Sequence, residues 1–288
     1  MPVTVAESTV DRRQIKAQAA QRRLLTAPSS RPLPLELCYM PMPTLALPGK
    51  PKPYLLAHRG NRVRCPENTL AAFRQALADG ADALETDLHL TADGVFVCIH
   101  DATVDRTTDG RGPVAAMTLA ELKTLSAAYG RPEFQAERVP TLAELAQILP
   151  VDVALALELK TDRFLEPAVA QRLAEELAAS GVANRTVILS FSRARVQAVQ
   201  AAAPDLPSGW ITLSRAWPIG GVQLLGPLWP LLLLNPLYPW LAHRRGQLVA
   251  PLDPLPDRRL WLYKLLRCDA VLSDDPASTL AALGRKAA

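Results

Sequence analysis

Cysteine is scarce in this sequence, and no two cysteines are spaced as a pair. The four cysteines lie far apart along the 288 residues, without a Cys-x-x-Cys motif. Structural zinc sites and disulfide frameworks depend on closer and more regular spacing, so neither is expected. Cys98 falls within an apolar run and is predicted to be a small buried residue. Unpaired cysteines, and the lack of an apolar segment before residue 23, favour a cytoplasmic protein.

Charge of one sign is not concentrated in the main part of the chain. Lys and Arg outnumber Asp and Glu by four, and residues 1–31, with six basic and two acidic residues, carry this whole excess. The remaining chain is neutral overall, so no basic face that would bind nucleic acid is predicted. For the basic segment itself we expect disorder, with a weak contact to anionic lipid as the alternative.

Proline separates this segment from the rest. Residues 27–53 are Pro-rich and are predicted to form an extended linker. We therefore expect a basic, Pro-rich, disordered extension over residues 1–53 and one folded domain over residues 54–288. One hypothesis places the natural start at Met40 or Met42, shortly before that domain.

Histidine is also scarce, and two of the four histidines end short apolar runs. His58 follows YLLA and His100 follows VFVCI, while Glu85 and Asp87 lie between them in the run ALETDL. Alternate residues of a strand share a face, so the two carboxylates point the same way. Buried neighbouring carboxylates need a cation, or one of them must keep its proton.

A third carboxylate ends another apolar run. Glu158 follows Leu155-Ala156-Leu157, and Lys160 comes two residues later. Three carboxylates are typical ligands of Mg²⁺ or Ca²⁺. A single strand-end histidine is more often structural than catalytic, and Lys160 could be a structural partner of Glu158. Two such histidines around paired carboxylates nevertheless favour a catalytic site.

The ordered motifs HRG, PENT, Glu-x-Asp, TADG, HD and ELK resemble those of the glycerophosphodiester phosphodiesterase family over about residues 54–160. The later segments ILSF and DAVLSDDP also resemble strands of that family. The resemblance implies an α/β fold, a distorted TIM (β/α)8 barrel in a single domain. It also implies metal-dependent hydrolysis of glycerophosphodiesters to sn-glycerol 3-phosphate and an alcohol.

Seven residues are predicted to form the site. His58 and His100 are the acid–base pair. Glu85, Asp87 and Glu158 are the ligands of one divalent cation, Mg²⁺ or Ca²⁺. Arg59 and Lys160 bind the phosphate. An arginine can fork onto phosphate oxygens, and a lysine supplies a point charge. Two points stay open. The first is which histidine is the acid and which is the base. The second is whether water attacks the phosphorus directly or a cyclic phosphate forms first.

Neighbouring residues are assigned supporting parts. We expect Glu67 to order the loop under Arg59, and Asp101 to orient His100 or to cap a turn. His89 is a possible further pocket residue because it shares the parity of the carboxylates, and His243 is expected in a surface loop. The runs around the turn Thr91–Gly94 are predicted to pair as a hairpin with Glu85 opposite His100.

No charged residue occurs from Trp217 to Ala242, a run long enough to span a membrane. Its five prolines and three glycines argue against one continuous helix, and a barrel strand over Leu231–Leu234 is predicted instead. An apolar lip is a further hypothesis, which would contact a membrane surface through residues 217–242 or hold an acyl chain. Its members are Trp217, Leu224, Leu228, Trp229, Tyr238 and Trp240.

One segment departs from the family pattern. Where the family has an aromatic residue and an asparagine, in a pattern like WTVN, this chain has Ala250-Pro251-Leu252-Asp253. The change removes a wall of the substrate pocket and leaves the preferred leaving group open. The alternatives to the leading activity are a lysophospholipase D-type enzyme, a phosphoinositide-type phospholipase C, and a non-catalytic module that binds membrane surfaces.

Overall fold

The structure is a computed structural model, and it describes Leu47 and residues 49–286. Most of the expected extension over residues 1–53 and both candidate start residues, Met40 and Met42, lie outside the described residues.

Within the described residues, most strands coincide with an apolar run of the sequence. The strands are β1 Tyr54–His58, β2 Ala83–Leu90, β3 Phe96–Cys98, β4 Ala154–Leu159, β5 Thr186–Ser190, β6 Ser208–Thr212, β7 Leu224–Pro227, β8 Leu248–Val249 and β9 Ala270–Ser273.

Eight of these strands form a parallel sheet in the order β8-β7-β6-β5-β4-β2-β1-β9, and β3 pairs antiparallel with β2 off this path. The two end strands meet through Asp269, whose N–H donates to the Val249 carbonyl at 2.8 Å. In return, the Val249 N–H donates to the Asp269 carboxylate at 2.9 Å. This carboxylate also accepts a hydrogen bond from Lys52 at 2.6 Å. The sheet is therefore a nearly closed barrel, and the predicted fold class is confirmed.

Helices cover the outside of the barrel. They are α1 Leu70–Ala78, α2 Leu119–Leu122, α3 Leu142–Ile148, α4 Pro167–Ala179, α5 Arg193–Ala202, α6 Pro230–Leu234, α7 Tyr238–His243, α8 Leu260–Leu265 and α9 Pro276–Ala282. Thr69 caps α1, and Thr118 and Thr141 each form a capping box with the glutamate three residues later, as their sequence pattern predicts.

Side chains inside the barrel alternate along each strand with side chains that face the helices. Leu56 of β1, Ala83 of β2 and Ala156 of β4 belong to one buried interior cluster. Residues two positions further along a strand point the same way, so the same interior continues toward the carboxyl ends of these strands. The residues at those positions are His58, Glu85 and Glu158.

The hairpin of β2 and β3 forms, but its register differs by one residue from the prediction. Leu88 pairs with Cys98, which would align Glu85 with Asp101 rather than with His100. The reason is the loop length. The Thr91 N–H donates to the Val95 carbonyl at 3.0 Å, so three residues rather than two form the loop. Its last residue is a glycine at φ +81°, a backbone conformation that this loop type requires.

The predicted strand over Leu231–Leu234 is wrong. These residues form most of α6, and the seventh strand of the chain is Leu224–Pro227. Proline at position 230 is favourable in the first turn of a helix, and leucine is a good helix former without a branched Cβ. In the part of the chain that the structure describes, no helix is long and apolar enough to cross a membrane.

The apolar lip also differs from the prediction. Leu224 and Tyr238 are buried at 6% and 0% relative exposure and belong to the core. Leu228 and Trp229 are half-buried. Only Trp217 and Trp240 of the six predicted members are exposed large side chains.

Candidate active site

Three carboxylates meet where β2 and β4 run side by side. Glu85, Asp87 and Glu158 are all buried, and one ligand oxygen of each lies within 4.8 Å of the others. The sheet register explains this geometry, because Asp87 lies directly beside Glu158 and Glu85 lies directly beside His58. The strand alternation noted in the sequence thus places all three acids on the interior of the barrel.

The charges of these acids are unequal. Burial and then the charge of Asp87 raise the pKa of Glu85 well above its usual range, against the attraction of Arg59. Burial also raises the pKa of Glu158, against the attraction of Lys160. For Asp87, burial acts in the same direction, but the positive charges of Arg59 and Lys160 outweigh it and lower its pKa. Without a cation, the cluster therefore favours a proton on one of its glutamates.

The donor set fits a divalent cation. Asp87 Oδ1 is buried and accepts no hydrogen bond from the described residues. Lys160 Nζ, 3.5 Å away, offsets part of the cost of burying this oxygen, and a bound cation would offset the rest. Carboxylate oxygens are the ligands that Mg²⁺ and Ca²⁺ prefer.

Arg59 links the carboxylates to the loop after β1. Its N–H donates to Glu85 Oε2 at 3.1 Å, its Nε lies 3.1 Å from Asp87 Oδ2, and another guanidinium nitrogen donates to Glu67 at 3.0 Å. This arrangement needs an unusual backbone, with Arg59 at φ +57° and Gly60 at φ +80°. At Gly60, a Cβ would lie 2.5 Å from the backbone of Ala72, so the glycine of the HRG motif is required by close packing on α1.

His58 is oriented by a residue from the other end of the chain. Its Nδ1 lies 2.6 Å from Asp274 Oδ1, just after β9. Sequence reasoning missed Asp274, although the SDDP segment that contains it was noted for its likeness to a family strand. Because Nδ1 is engaged by this carboxylate, Nε2 is the nitrogen that can exchange a proton with a substrate. His58 lines a small cavity of about 50 Å³ together with Glu85 and Glu158.

His100 has a matching partner. Its Nδ1 lies 2.6 Å from Asp101 Oδ1, as the expectation that Asp101 orients His100 requires. Asp101 in turn accepts a 2.6 Å hydrogen bond from Arg106 Nε, and Arg106 also donates to Glu67 at 2.8 Å. Arg106 was not identified from the sequence. Both histidines therefore have the same arrangement, with Nδ1 held by a carboxylate.

Glu67 is the centre of an arginine cluster. Arg59, Arg62 and Arg106 approach its two oxygens at 3.0, 3.1 and 2.8 Å. Burial disfavours the charged form of Glu67, but the hydrogen bond from Arg106 and the charges of the three arginines outweigh it and lower its pKa to about 2. The expectation that Glu67 orders the loop beneath Arg59 is confirmed, and this carboxylate in fact orders two loops.

Lys160 is a structural partner of Glu158, which was one of the two interpretations made from the sequence, while phosphate binding stays a prediction. Its Nζ donates to Glu158 Oε1 at 3.0 Å and lies 3.5 Å from Asp87 Oδ1. It is therefore an ion-pair partner of two acids and also lies at the candidate cation site. All seven predicted site residues lie on β1, β2 and β4 or in the loops directly after β1, β3 and β4.

The remaining histidines serve other contacts. His89 is buried, with Nε2 3.2 Å from the His100 carbonyl oxygen, and burial lowers its pKa. It therefore supports the chain at His100. His243 was expected in a surface loop, which is wrong: it ends α7, and its Nε2 lies 2.8 Å from the buried Asp269 at the amino end of β9.

Asp253 marks the departure from the family pattern after β8. Its buried carboxylate accepts two 2.6 Å hydrogen bonds from Arg259 and a further one from the Tyr263 hydroxyl. The side chain is therefore engaged by contacts within the loop and helix that follow β8. Ala250 and Leu252, from the same segment, line the small cavity beside His58.

Comparisons with known proteins agree on one family. The sequence model of the glycerophosphoryl diester phosphodiesterase family matches residues 58–220. A glycerophosphodiester phosphodiesterase of Caldanaerobacter subterraneus is 40% identical over 161 residues, which are 55% of this chain and 66% of that protein. The chain thus spans just under two thirds of that relative's length.

Two further proteins extend the similarity. A probable glycerophosphodiester phosphodiesterase 1 of Mycobacterium tuberculosis is 35% identical over 218 residues, which are 67% of this chain and 77% of that protein. The structure of an Oleispira antarctica phosphodiesterase in complex with the product sn-glycerol-3-phosphate matches with a TM-score of 0.70 and 26% identity. This match covers 81% of this chain and 97% of that one.

Proposed function

Because the chain belongs to the glycerophosphoryl diester phosphodiesterase family, we propose that it hydrolyses glycerophosphodiesters to sn-glycerol 3-phosphate and an alcohol. The observation that carries this proposal is the buried carboxylate cluster of Glu85, Asp87 and Glu158, with His58 directly beside Glu85 in the barrel. The Oleispira neighbour binds sn-glycerol-3-phosphate, a product of the same class of reaction.

The three carboxylates would hold one divalent cation, with Mg²⁺ and Ca²⁺ as the candidates. When bound, such a cation supplies positive charge that offsets the negative charge of the phosphodiester. Arg59 and Lys160 already point at the same acids, at 3.1 Å from Asp87 and 3.0 Å from Glu158. They would bind the phosphoryl oxygens of the substrate.

The two histidines would divide the proton transfers between them. Each has Nδ1 at 2.6 Å from a carboxylate, Asp274 for His58 and Asp101 for His100. This partner fixes the orientation of the ring and leaves Nε2 as the nitrogen that exchanges a proton. One histidine would take a proton from the attacking hydroxyl, and the other would give one to the leaving alkoxide.

The cytoplasm fits as the location, since the described cysteines 65, 98 and 268 are buried and unpaired.

Lysophospholipids are the second candidate substrates. The observation that favours them is the exposed apolar surface of the loop after β6 and of α6 and α7, where Trp217 is 61% and Leu234 76% exposed. A lysophospholipase D-type enzyme would hydrolyse lysophospholipids faster than deacylated diesters. A non-catalytic membrane-binding module is the third candidate, but it would not need two histidines that are each held by a carboxylate.

The test is release of glycerol 3-phosphate from glycerophosphocholine and glycerophosphoethanolamine in Mg²⁺, Ca²⁺ or EDTA. We expect release that depends on the cation and is lost in His58→Ala and in His100→Ala. His243→Ala is the matched control, because His243 lies at the opposite end of the barrel and pairs with Asp269. Absence of release from both diesters and from lysophospholipids, in a protein with an unchanged thermal transition, would contradict the proposal.

A further inference from the structure

Exposed apolar side chains are concentrated on one face of the barrel, here called the α6–α7 face. It consists of Trp217, Leu233, Leu234, Leu237 and Trp240, which are 52–76% exposed. Large side chains exposed to this degree are unusual when they lie side by side, because contiguous apolar patches on soluble proteins mark interaction sites.

The hydrogen bonds on both sides of Trp217 show that the face is continuous. Asn235, between α6 and α7, donates to the Ala216 carbonyl at 2.7 Å. Arg245, just after α7, donates to the Pro218 carbonyl at 2.8 Å. These two bonds hold the backbone on both sides of Trp217 against the helix pair, which brings this exposed residue close to α6 and α7.

The charge around this face has one sign. The sequence contains no aspartate or glutamate from residue 206 to residue 252, but it contains Arg215, Arg244 and Arg245. All three arginines are exposed. The Arg244 guanidinium lies 5.0 Å from the centre of the Trp240 ring, so positive charge lies directly beside the apolar surface. Residues 32–288 are neutral overall only because these arginines offset an excess of acids elsewhere, which makes this local excess distinctive.

We propose that the α6–α7 face docks on lipid bilayers that contain anionic phospholipids. Tryptophan favours the boundary between lipid headgroups and acyl chains, and exposed leucines gain from partial burial there. Arginines at the edge of an apolar surface bind the phosphates of anionic lipids. A second copy of this chain or another protein would also cover apolar side chains. A uniformly negative surface fits better, because the face offers no carboxylate to pair with a basic residue.

The α6–α7 face extends along the side of the barrel, with Trp217 and the start of α6 toward its catalytic end and Arg244, next to His243, toward the opposite end. Trp217 lies in the loop that follows the carboxyl end of β6, and α6 begins just after the carboxyl end of β7. The candidate active site lies at the same end of the barrel. The binding surface itself does not depend on the proposed reaction, so binding is measured separately from hydrolysis.

The experiment measures co-sedimentation of the full chain with vesicles in EDTA. Vesicles of phosphatidylcholine alone are compared with vesicles that also contain phosphatidylglycerol. We expect binding to the mixed vesicles that weakens with salt. In Trp217→Ser/Leu234→Ser/Trp240→Ser, vesicle partitioning should fall by about tenfold or more, since apolar burial and charge act together. Arg244→Glu should weaken binding to the vesicles that contain phosphatidylglycerol and leave binding to phosphatidylcholine vesicles unchanged.

Two controls match these variants. Val151→Ser/Leu165→Ser removes exposed apolar side chains elsewhere on the barrel, where they are 90% and 43% exposed. Arg74→Glu makes the same charge change on α1. Both should bind like the wild type, and Leu234→Ser alone serves if the triple variant does not fold. Release of glycerol 3-phosphate from a soluble diester should not change in any of them.

Three outcomes would overturn the proposal. The first is equal vesicle binding by the wild type and by folded triple and single variants. The second is equal loss of binding in the matched controls. The third is a wild-type dimer in light scattering that becomes monomeric in the triple variant without any vesicle binding, which would assign the face to a second copy of this chain.

Discussion

Replacing Glu85 by glutamine should stabilise the protein in EDTA while abolishing hydrolysis. The reasons are the burial of this carboxyl group and its repulsion by the other two acids. Ligand oxygens of Glu85, Asp87 and Glu158 lie within 4.8 Å of one another. At an effective dielectric constant of about 20, two unit charges at this distance repel by roughly 3.5 kcal/mol. Glu85 takes part in two such pairs, and the attraction of Arg59 offsets only part of the total.

We therefore expect Glu85→Gln to raise the free energy of unfolding in EDTA by about 2 kcal/mol at neutral pH. For a folded part of this size, that change corresponds to an increase in the melting temperature of about 4–8 °C. Addition of Mg²⁺ or Ca²⁺ should raise the melting temperature of the wild type more than that of the variant, which keeps only two of the three carboxylate ligands.

The pH dependence follows from the direction of the pKa shift. The pKa of Glu85 is higher in the folded protein than the ordinary value of 4.5. Near pH 4.5 and below, folding keeps the proton on Glu85, and the wild type has no disadvantage. As the pH rises above 4.5 toward the folded-state pKa, the wild type loses stability relative to Glu85→Gln. The difference between their melting temperatures in EDTA should therefore grow with pH and then level off.

The assay is thermal unfolding followed by circular dichroism, in EDTA and with each cation. Glu133→Gln is the matched control, because Glu133 is exposed and its substitution removes the same charge away from the site. A variant that melts below the wild type in EDTA at neutral pH would refute the repulsion argument. A cation that raises the melting temperature of both proteins equally would show that Glu85 is not a ligand.

Three further substitutions test other parts of the site. Asp274→Asn removes the carboxylate that orients His58 and should lower kcat/KM for the diester by about 10²–10⁴, with little change in KM and in the melting temperature. Glu67→Gln should destabilise the protein by about 3 kcal/mol at pH 7, since folding lowers the pKa of Glu67 from 4.5 to about 2. In urea unfolding, the wild type should lose stability as the pH falls from 4.5 toward 2. The variant should lose much less over the same range. Gly60→Ala should destabilise the protein by about 3 kcal/mol because of backbone strain and overpacking. Gly130→Ala, at φ +73° with no atom near the added Cβ, should cost only about 1 kcal/mol. Equal losses of stability in thermal unfolding would contradict this expectation.

The carboxylate cluster could be predicted from the sequence because it follows from strand periodicity. Glu85 and Asp87 lie two residues apart in one apolar run, and Glu158 ends another. Strands of a parallel barrel present alternate residues to the interior, and their carboxyl ends lie at one end of the barrel. Two assignments of strand and one of fold class were therefore enough to bring these three residues together.

Local geometry within loops was harder to predict. The register of the β2–β3 hairpin depends on whether the loop has two or three residues, and TADG is compatible with both. The Leu231–Leu234 run is apolar enough for either a strand or a helix, and the proline before it decides for the helix. In both places the sequence pattern identifies a turn or an apolar segment. The backbone conformation then depends on a single residue, and the pattern alone does not predict its effect.

The partners of the histidines could not be predicted, for a different reason. Asp274 lies 216 residues from His58 along the chain, and only closure of the barrel, with β9 beside β1, brings them together. No periodicity relates positions at that separation. Arg106 lies in a polar loop, and its contact with Glu67 appears only once the loops after β1 and β3 are in place.

Glu67 shows why the separate motifs of this sequence act as one unit. Its carboxylate binds Arg59 of the HRG motif and Arg106, and Arg106 holds the Asp101 that orients His100. The same Arg59 contacts Asp87 in the acid cluster. A continuous path of hydrogen bonds and ion pairs therefore runs from the cation site to His100 through one buried glutamate. A change at Glu67 should then disturb phosphate binding and proton transfer together, although this residue belongs to neither the predicted cation ligands nor the acid–base pair.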